Sequence, residues 1–91
     1  MRGMVINEAI RCVMKESGVT HKMMADALRM KRGTDVSARL NSKNMTFDRA
    51  IEMLSVCGYE VIVQNARRGK RQDWQYLIVK SDAAKKGGDS E

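Results

Sequence analysis

The sequence predicts an α+β domain: a body of four to five short helices ending at Gly58, followed by a C-terminal two-stranded antiparallel β-hairpin. Three observations carry this. Apolar residues recur at helical spacing as far as Gly58. Beyond it the period changes to two runs rich in β-branched and aromatic residues, with turn-forming residues between them. No proline interrupts either part. With 91 residues, 43% hydrophobic and 31% charged, the chain has material for one small folded domain.

Ile6, Ala9, Ile10, Val13 and Met14 form the first amphipathic stripe, and Gly18 is its expected stop. Thr20 offers an N-cap to a second helix whose stripe is Met23, Met24, Ala27 and Leu28. Residues 30–33 read as a turn, after which Thr34 caps a short third helix with Val36 and Leu40 inward. Thr46 caps a fourth, with Phe47, Ala50, Ile51 and Leu54 on one face and Gly58 as its stop. The hairpin pairs residues 59–64 with residues 74–79 across a cationic loop that holds Gly69. Its faces carry Val61, Ile62, Val63, Trp74, Tyr76, Leu77, Ile78 and Val79, more apolar surface than four short helices cover on both sides. The expectation is therefore a homodimer that uses this hairpin. Residues 1–80 form the domain, and residues 81–91, rich in Lys, Gly, Asp and Ser, read as a disordered, solvated tail.

Composition narrows the function. No apolar run reaches the roughly 18–20 residues of a membrane span, and the start lacks a signal-peptide core. There is one histidine, with no HExxH, GxSxG or P-loop pattern, so an enzyme is not expected. Cys12 and Cys57 have no CxxC or histidine at ligand spacing. They read as small buried hydrophobes in a reducing, cytoplasmic compartment, and neither a metal nor a cofactor is implied. The eight methionines read as adaptable core filler.

The net charge is +6, and it is not evenly spread. Residues 20–45 carry +4 and residues 65–80 carry +4, separated by −2 over residues 46–64. Two positive patches point toward a polyanionic partner.

The run from Thr20 to Leu28, a short turn, and then Val36-Ser37-Ala38-Arg39-Leu40-Asn41 resembles the Cro/repressor (XRE-type) helix-turn-helix family. Ala25 stands where that family places a small residue at the helix crossing, Leu28 precedes the turn, and Val36-Ser37 matches its β-branched residue followed by Ser. The resemblance extends from about Ile6 to Tyr59 and includes small phage and mobile-element regulators. Two departures stand out: Arg29 occupies the position where the family usually has Gly, and the turn is one residue longer. Arg39 falls where an apolar residue is common.

The resemblance implies a transcriptional regulator of the repressor type, binding double-stranded DNA at a palindromic operator as a dimer. At 100° per residue, Ala38 points outward from the third helix, with Thr34 and Asn41 beside it and Asp35, Ser37 and Arg39 on the flanks. Thr34 and Asn41 suit hydrogen bonds to base edges, and the Ala38 methyl suits a thymine methyl. Thr20 and His21 open the preceding helix, where backbone N–H groups attract phosphate. Arg32 and Lys43 bracket the third helix as phosphate anchors. Arg67, Arg68, Lys70 and Arg71 form a second patch, placed to embrace the duplex as a wing.

Plainer roles compete at several positions. The three threonines serve as caps, Asp35 and Arg39 form an i, i+4 ion pair, and the basic loop is a solvated hairpin tip. A different function class also fits: a mobile-element inhibitor or adaptor, anti-CRISPR-like in binding a nuclease, or an antitoxin-like autorepressor that binds a toxin.

Overall fold

The structure, a computed structural model, describes residues 3–80. The tail expected at residues 81–91 lies outside the described residues. Four helices make up the body: α1 (Ile6–Ser17), α2 (His21–Ala27), α3 (Gly33–Leu40) and α4 (Phe47–Val56).

The helices pack on one core, but in α2 the buried residues are Met24 and Ala25, while Met23, 51% exposed, and Ala27 of the expected stripe face out. Ile10, Met24, Val36, Leu40 and Met53 are all at most 1% exposed, joined by Val13, Met14, Ala25, Ala50 and Leu54. Two of the three threonine caps form as expected, since Thr20 accepts from the Met23 N–H and Thr46 from the Arg49 N–H. The third does not. Arg32 is the N-cap of α3, and Asp35 accepts the Arg32 N–H at 3.2 Å, leaving Thr34 one residue inside the helix. In α4 the inward positions are Ala50, Met53 and Leu54, while Phe47 is 66% exposed and Ile51 is 36% exposed. Met53 takes the place expected for Ile51, because the core lies about one residue step around the helix from the assumed face.

Three helices end in the same way. Gly18, Arg29 and Gly58 sit in the left-handed region, with φ of 75°, 59° and 84°. In each case the next residue returns its N–H to the carbonyl five residues back: Val19 to Met14 at 2.9 Å, Met30 to Ala25 at 2.7 Å, and Tyr59 to Leu54 at 2.9 Å. Val19, Met30 and Tyr59 then pack against the core. A hydrophobic residue just past a left-handed one is the usual companion of this helix stop. Only Arg29 does it with a Cβ, at a conformational cost of about 1–2 kcal/mol. Arg29→Gly is therefore expected to leave stability unchanged or raise it by up to about 1 kcal/mol, because relief of strain outweighs the added freedom of the unfolded chain. Arg29→Val should lower it by about 1–2 kcal/mol, since a β-branched residue tolerates positive φ worst. Thermal melting of the three proteins checks the order.

The expected hairpin is absent, and with it the α+β class. Among the described residues the regular structure is helical, with one isolated parallel bridge between Met4 and Ile78. Within the expected second strand only residues 77–79 pair, and their partner is the N-terminus: the Met4 N–H donates to Leu77 O at 2.9 Å and the Val79 N–H to Met4 O at 3.0 Å. Gly3 allows this approach, because a Cβ there would overlap the Val79 side chain. Tyr76 packs against the core beside Tyr59, with ring centroids 6.3 Å apart. The segment at 59–64 is left unpaired.

Turn chemistry explains part of this outcome. The Asn65 carbonyl accepts from the Arg68 and Gly69 N–H groups, and its side-chain oxygen from the Arg67 and Arg68 N–H groups. A second turn closes between Gln72 and Gln75. The stretch expected to be one hairpin loop is thus organised as two separate turns, and the second reaches into the expected second strand, where it takes the Gln75 N–H. Burial, followed by the nearby Glu16 carboxylate, pushes the hydroxyls of Tyr59 and Tyr76 above the ordinary tyrosine value of 10.0. The fold thus favours the neutral phenols: their stabilising effect is at full strength below pH 10 and fades as pH rises past it. The melting temperature should fall above pH 10, and fall less in Tyr76→Phe.

Candidate nucleic-acid interface

The α2–turn–α3 unit is the most closely packed helix pair. Ala25 is 2% exposed, and a Cβ on Gly33 would lie 3.5 Å from His21 Cβ and 3.6 Å from the Lys22 nitrogen. The first turns of α2 and α3 therefore touch almost backbone to backbone. Across this junction His21 Nδ1 and Ser37 Oγ hydrogen-bond at 3.0 Å.

The far end of α3 is fixed by α1. Asn7 Nδ2 donates to Leu40 O at 2.7 Å and to Ser42 O at 2.8 Å. Arg11 donates to Leu40 O at 3.1 Å and also to Asn41 Oδ1. These bonds satisfy carbonyls that a helix C-terminus leaves open. Both ends of α3 are thus held, and its outer face is presented on a stiff support.

On that outer face Thr34, Ala38 and Asn41 are exposed, with Asp35 and Ser37 half-buried at its margins. Thr20, His21, Arg32 and Lys43 are exposed around it. Three side chains have acquired partners. Ser37 holds His21, Asn41 accepts from Arg11, and Asp35 closes the start of α3.

Arg39 is placed differently. Its side chain is 17% exposed and pairs with Glu52 of α4 at 3.6 Å, so the expected Asp35–Arg39 pair is not made. The Arg39 NH1 atom is buried with only this distant carboxylate nearby. In this arrangement Arg39 joins α3 to α4 and is removed from the outer face.

Arg67, Arg68, Lys70 and Arg71 are exposed on the turn that Asn65 organises. The eight residues expected to face a partner divide into two groups. Val61, Ile62, Val63, Trp74 and Ile78 are exposed, at 42%, 66%, 94%, 67% and 45%. Tyr76, Leu77 and Val79 are half-buried within the chain.

Sequence reasoning missed Asn7 and Arg11. Asn7 carried a legible signal, as a polar residue beside the apolar phase of α1. Arg11 carried none, since a cation on the polar side of a helix usually faces only solvent.

Among the described residues no group of three or more His, Cys, Asp or Glu side chains is gathered to hold a metal ion. No helix among them is long and apolar enough to cross a membrane. Comparison with protein-family models, curated proteins and solved structures finds no match for this chain.

Proposed function

We propose that the protein is a sequence-specific duplex-DNA-binding regulator of the repressor type, acting in the cytoplasm as a homodimer and related to the Cro/repressor (XRE-type) family. The observation that carries the reading is the α2–turn–α3 unit. It holds an exposed helix face of Thr34, Ala38 and Asn41, with Arg32 and Lys43 beside it. An α-helix fits the major groove, and a stiffly held one spends little ordering entropy on binding. Arg29 adds local support, because it adopts the left-handed turn conformation at the position where that family usually has glycine. The role assigned to the protein is occupancy of an operator, with no chemistry performed.

The dimer is assigned to the unpaired apolar segment. Val61, Ile62, Val63 and Trp74 are exposed together with backbone that makes no ladder, a surface that suits pairing with a second copy. A twofold dimer would set two α3 helices against two half-sites. The reducing compartment is supported by two free cysteines, both half-buried.

Selection of the purified protein on random duplex DNA tests the reading. A palindromic motif with half-sites about one helical turn apart is the expected result. Sequence-independent binding alone would instead favour the adaptor or inhibitor class, with the exposed 61–63 segment as its protein-binding surface. Sedimentation equilibrium at micromolar concentration checks the assembly, and a single species of 10.3 kDa would exclude the dimer.

The basic turn is the second point of attachment in this proposal. Changing Arg67, Arg68, Lys70 and Arg71 together to Ser should weaken binding to specific and random duplexes alike. It should also flatten the dependence of log affinity on log salt by about 0.9 for every phosphate that is no longer neutralised. An unchanged slope would reduce the loop to a solvated tip.

A further inference from the structure

We propose that Arg11 of α1 is a positioning residue for base recognition: it fixes the direction of the Asn41 carboxamide on the outer face of α3, so that Asn41 reads guanine rather than adenine. The inference rests on the DNA-binding reading above and names the base that one position of that interface selects.

An asparagine side chain ends in an acceptor oxygen and a donor NH2 group of nearly the same shape, and either can turn outward. With both groups available, asparagine pairs with adenine, which offers a donor at N6 beside an acceptor at N7. Guanine offers two acceptors, N7 and O6. The end of the amide that faces the groove therefore bears on the base preferred.

Arg11 removes this freedom at Asn41. A guanidinium has five donors and no acceptor, so the amide atom it meets is the oxygen. The Arg11 Nη2 group donates to Asn41 Oδ1 and, at 3.1 Å, to Leu40 O. Asn7 holds the chain on either side of Asn41, through Leu40 O at 2.7 Å and Ser42 O at 2.8 Å. The Asn41 N–H itself donates to Ser37 O at 2.9 Å. Among the described residues the Asn41 NH2 group donates to nothing, and Asn41 is exposed on the face of α3 that carries Ala38. The open end of the amide is the donor end. Groups held in place before binding lose less entropy when they bind.

Charge acts in the same direction. The guanidinium lies against the oxygen that adenine N6 would need, so the amino group of adenine is brought toward a positive charge. The N7 and O6 edge of guanine is acceptor throughout, and both the NH2 group and the neighbouring cation attract it. Arg11 makes no ion pair among the described residues, so no carboxylate neutralises that charge.

Selection on random duplex DNA is run with the full chain and with Asn41→Ala, Arg11→Met and Arg11→Lys, melting serving as the check that each is folded. Asn41→Ala identifies the position: preference flattens there in each half-site while the rest of the motif stays. Expected at that position in the wild type is guanine over adenine by about tenfold. Arg11→Met, which cannot donate, should lose or reverse the ratio, and Arg11→Lys, which can, should restore it. A merely structural Arg11 would lower affinity for every sequence and leave the ratio alone. Adenine at that position in the wild type overturns the assignment, whether or not Arg11→Met folds. So does an unchanged ratio in folded Arg11→Met, or a motif in which Asn41→Ala flattens no position. In each of these outcomes a motif is still selected. Failure of the DNA reading differs, as a wild type that selects no motif at all, and the inference falls with it.

Discussion

Ala38→Glu should abolish specific duplex binding, lowering affinity by about 100-fold or more, while helix content and melting temperature stay nearly unchanged. Ala38 is exposed on α3, on the side away from the buried Val36 and Leu40. Glutamate is a good helix former, so the substitution costs the fold little. At the groove it brings a carboxylate against base edges and between phosphates. Removing one base-edge interaction alone costs on the order of 1–3 kcal/mol, and charge repulsion adds to that. Anisotropy with the selected duplex reads the drop in affinity, and circular dichroism reads the fold. Retained affinity in a folded Ala38→Glu would mean that α3 does not enter the groove, and the proposed function would fall with it.

Ile10→Ala should come close to unfolding the protein. Ile10 is fully buried at the middle of α1, in the one core that all four helices share. Truncating such a residue costs about 2–5 kcal/mol, through forfeited transfer energy and the cavity left behind. A core of this size supplies a net stability of only about 3–5 kcal/mol. At about 4–8 °C per kcal/mol, the melting temperature should fall by roughly 10–30 °C. Ile51→Ala, at a position 36% exposed on α4, should cost under about 1 kcal/mol and serves as the matched control. Calorimetry on both variants checks the contrast, and equal losses would show that the core is not centred where the burial places it.

The helical body is largely legible in the sequence because its signals are local. An apolar residue every three or four positions marks a stripe whatever that stripe meets. Gly18 and Gly58 mark stops through a conformation that other residues avoid. The turn after α2 is harder to read, because Arg29 adopts that conformation without being glycine. The outward set on α3 follows from geometry alone: Val36 and Leu40 point inward, and the 100° step then sets Thr34, Ala38 and Asn41 outward.

What stays hidden is every choice among partners. Asp35 and Arg39 have the spacing and order of an intrahelical pair, yet Asp35 closes its own helix start and Arg39 reaches Glu52. The first satisfies a backbone N–H at the start of α3, the second is a 3.6 Å charge contact that leaves Arg39 NH1 without a hydrogen bond, and the identity of the competing carboxylate depends on where α4 lies. Of the expected second strand only residues 77–79 pair, and their partner is Met4, more than seventy positions away in sequence. Propensity states that a segment fits a pleated, half-buried surface, not which strand lies beside it. By itself, then, the sequence determined the four helices, two of their three threonine caps and the outward face of α3, all set by interactions within a few residues. Only the tertiary structure decided that the N-terminus takes the place of a hairpin partner, that Arg39 leaves the outer face, and that Asn7 and Arg11 hold the end of α3. Those outcomes depend on which distant groups reach each other once the helices have packed, and no local pattern encodes that.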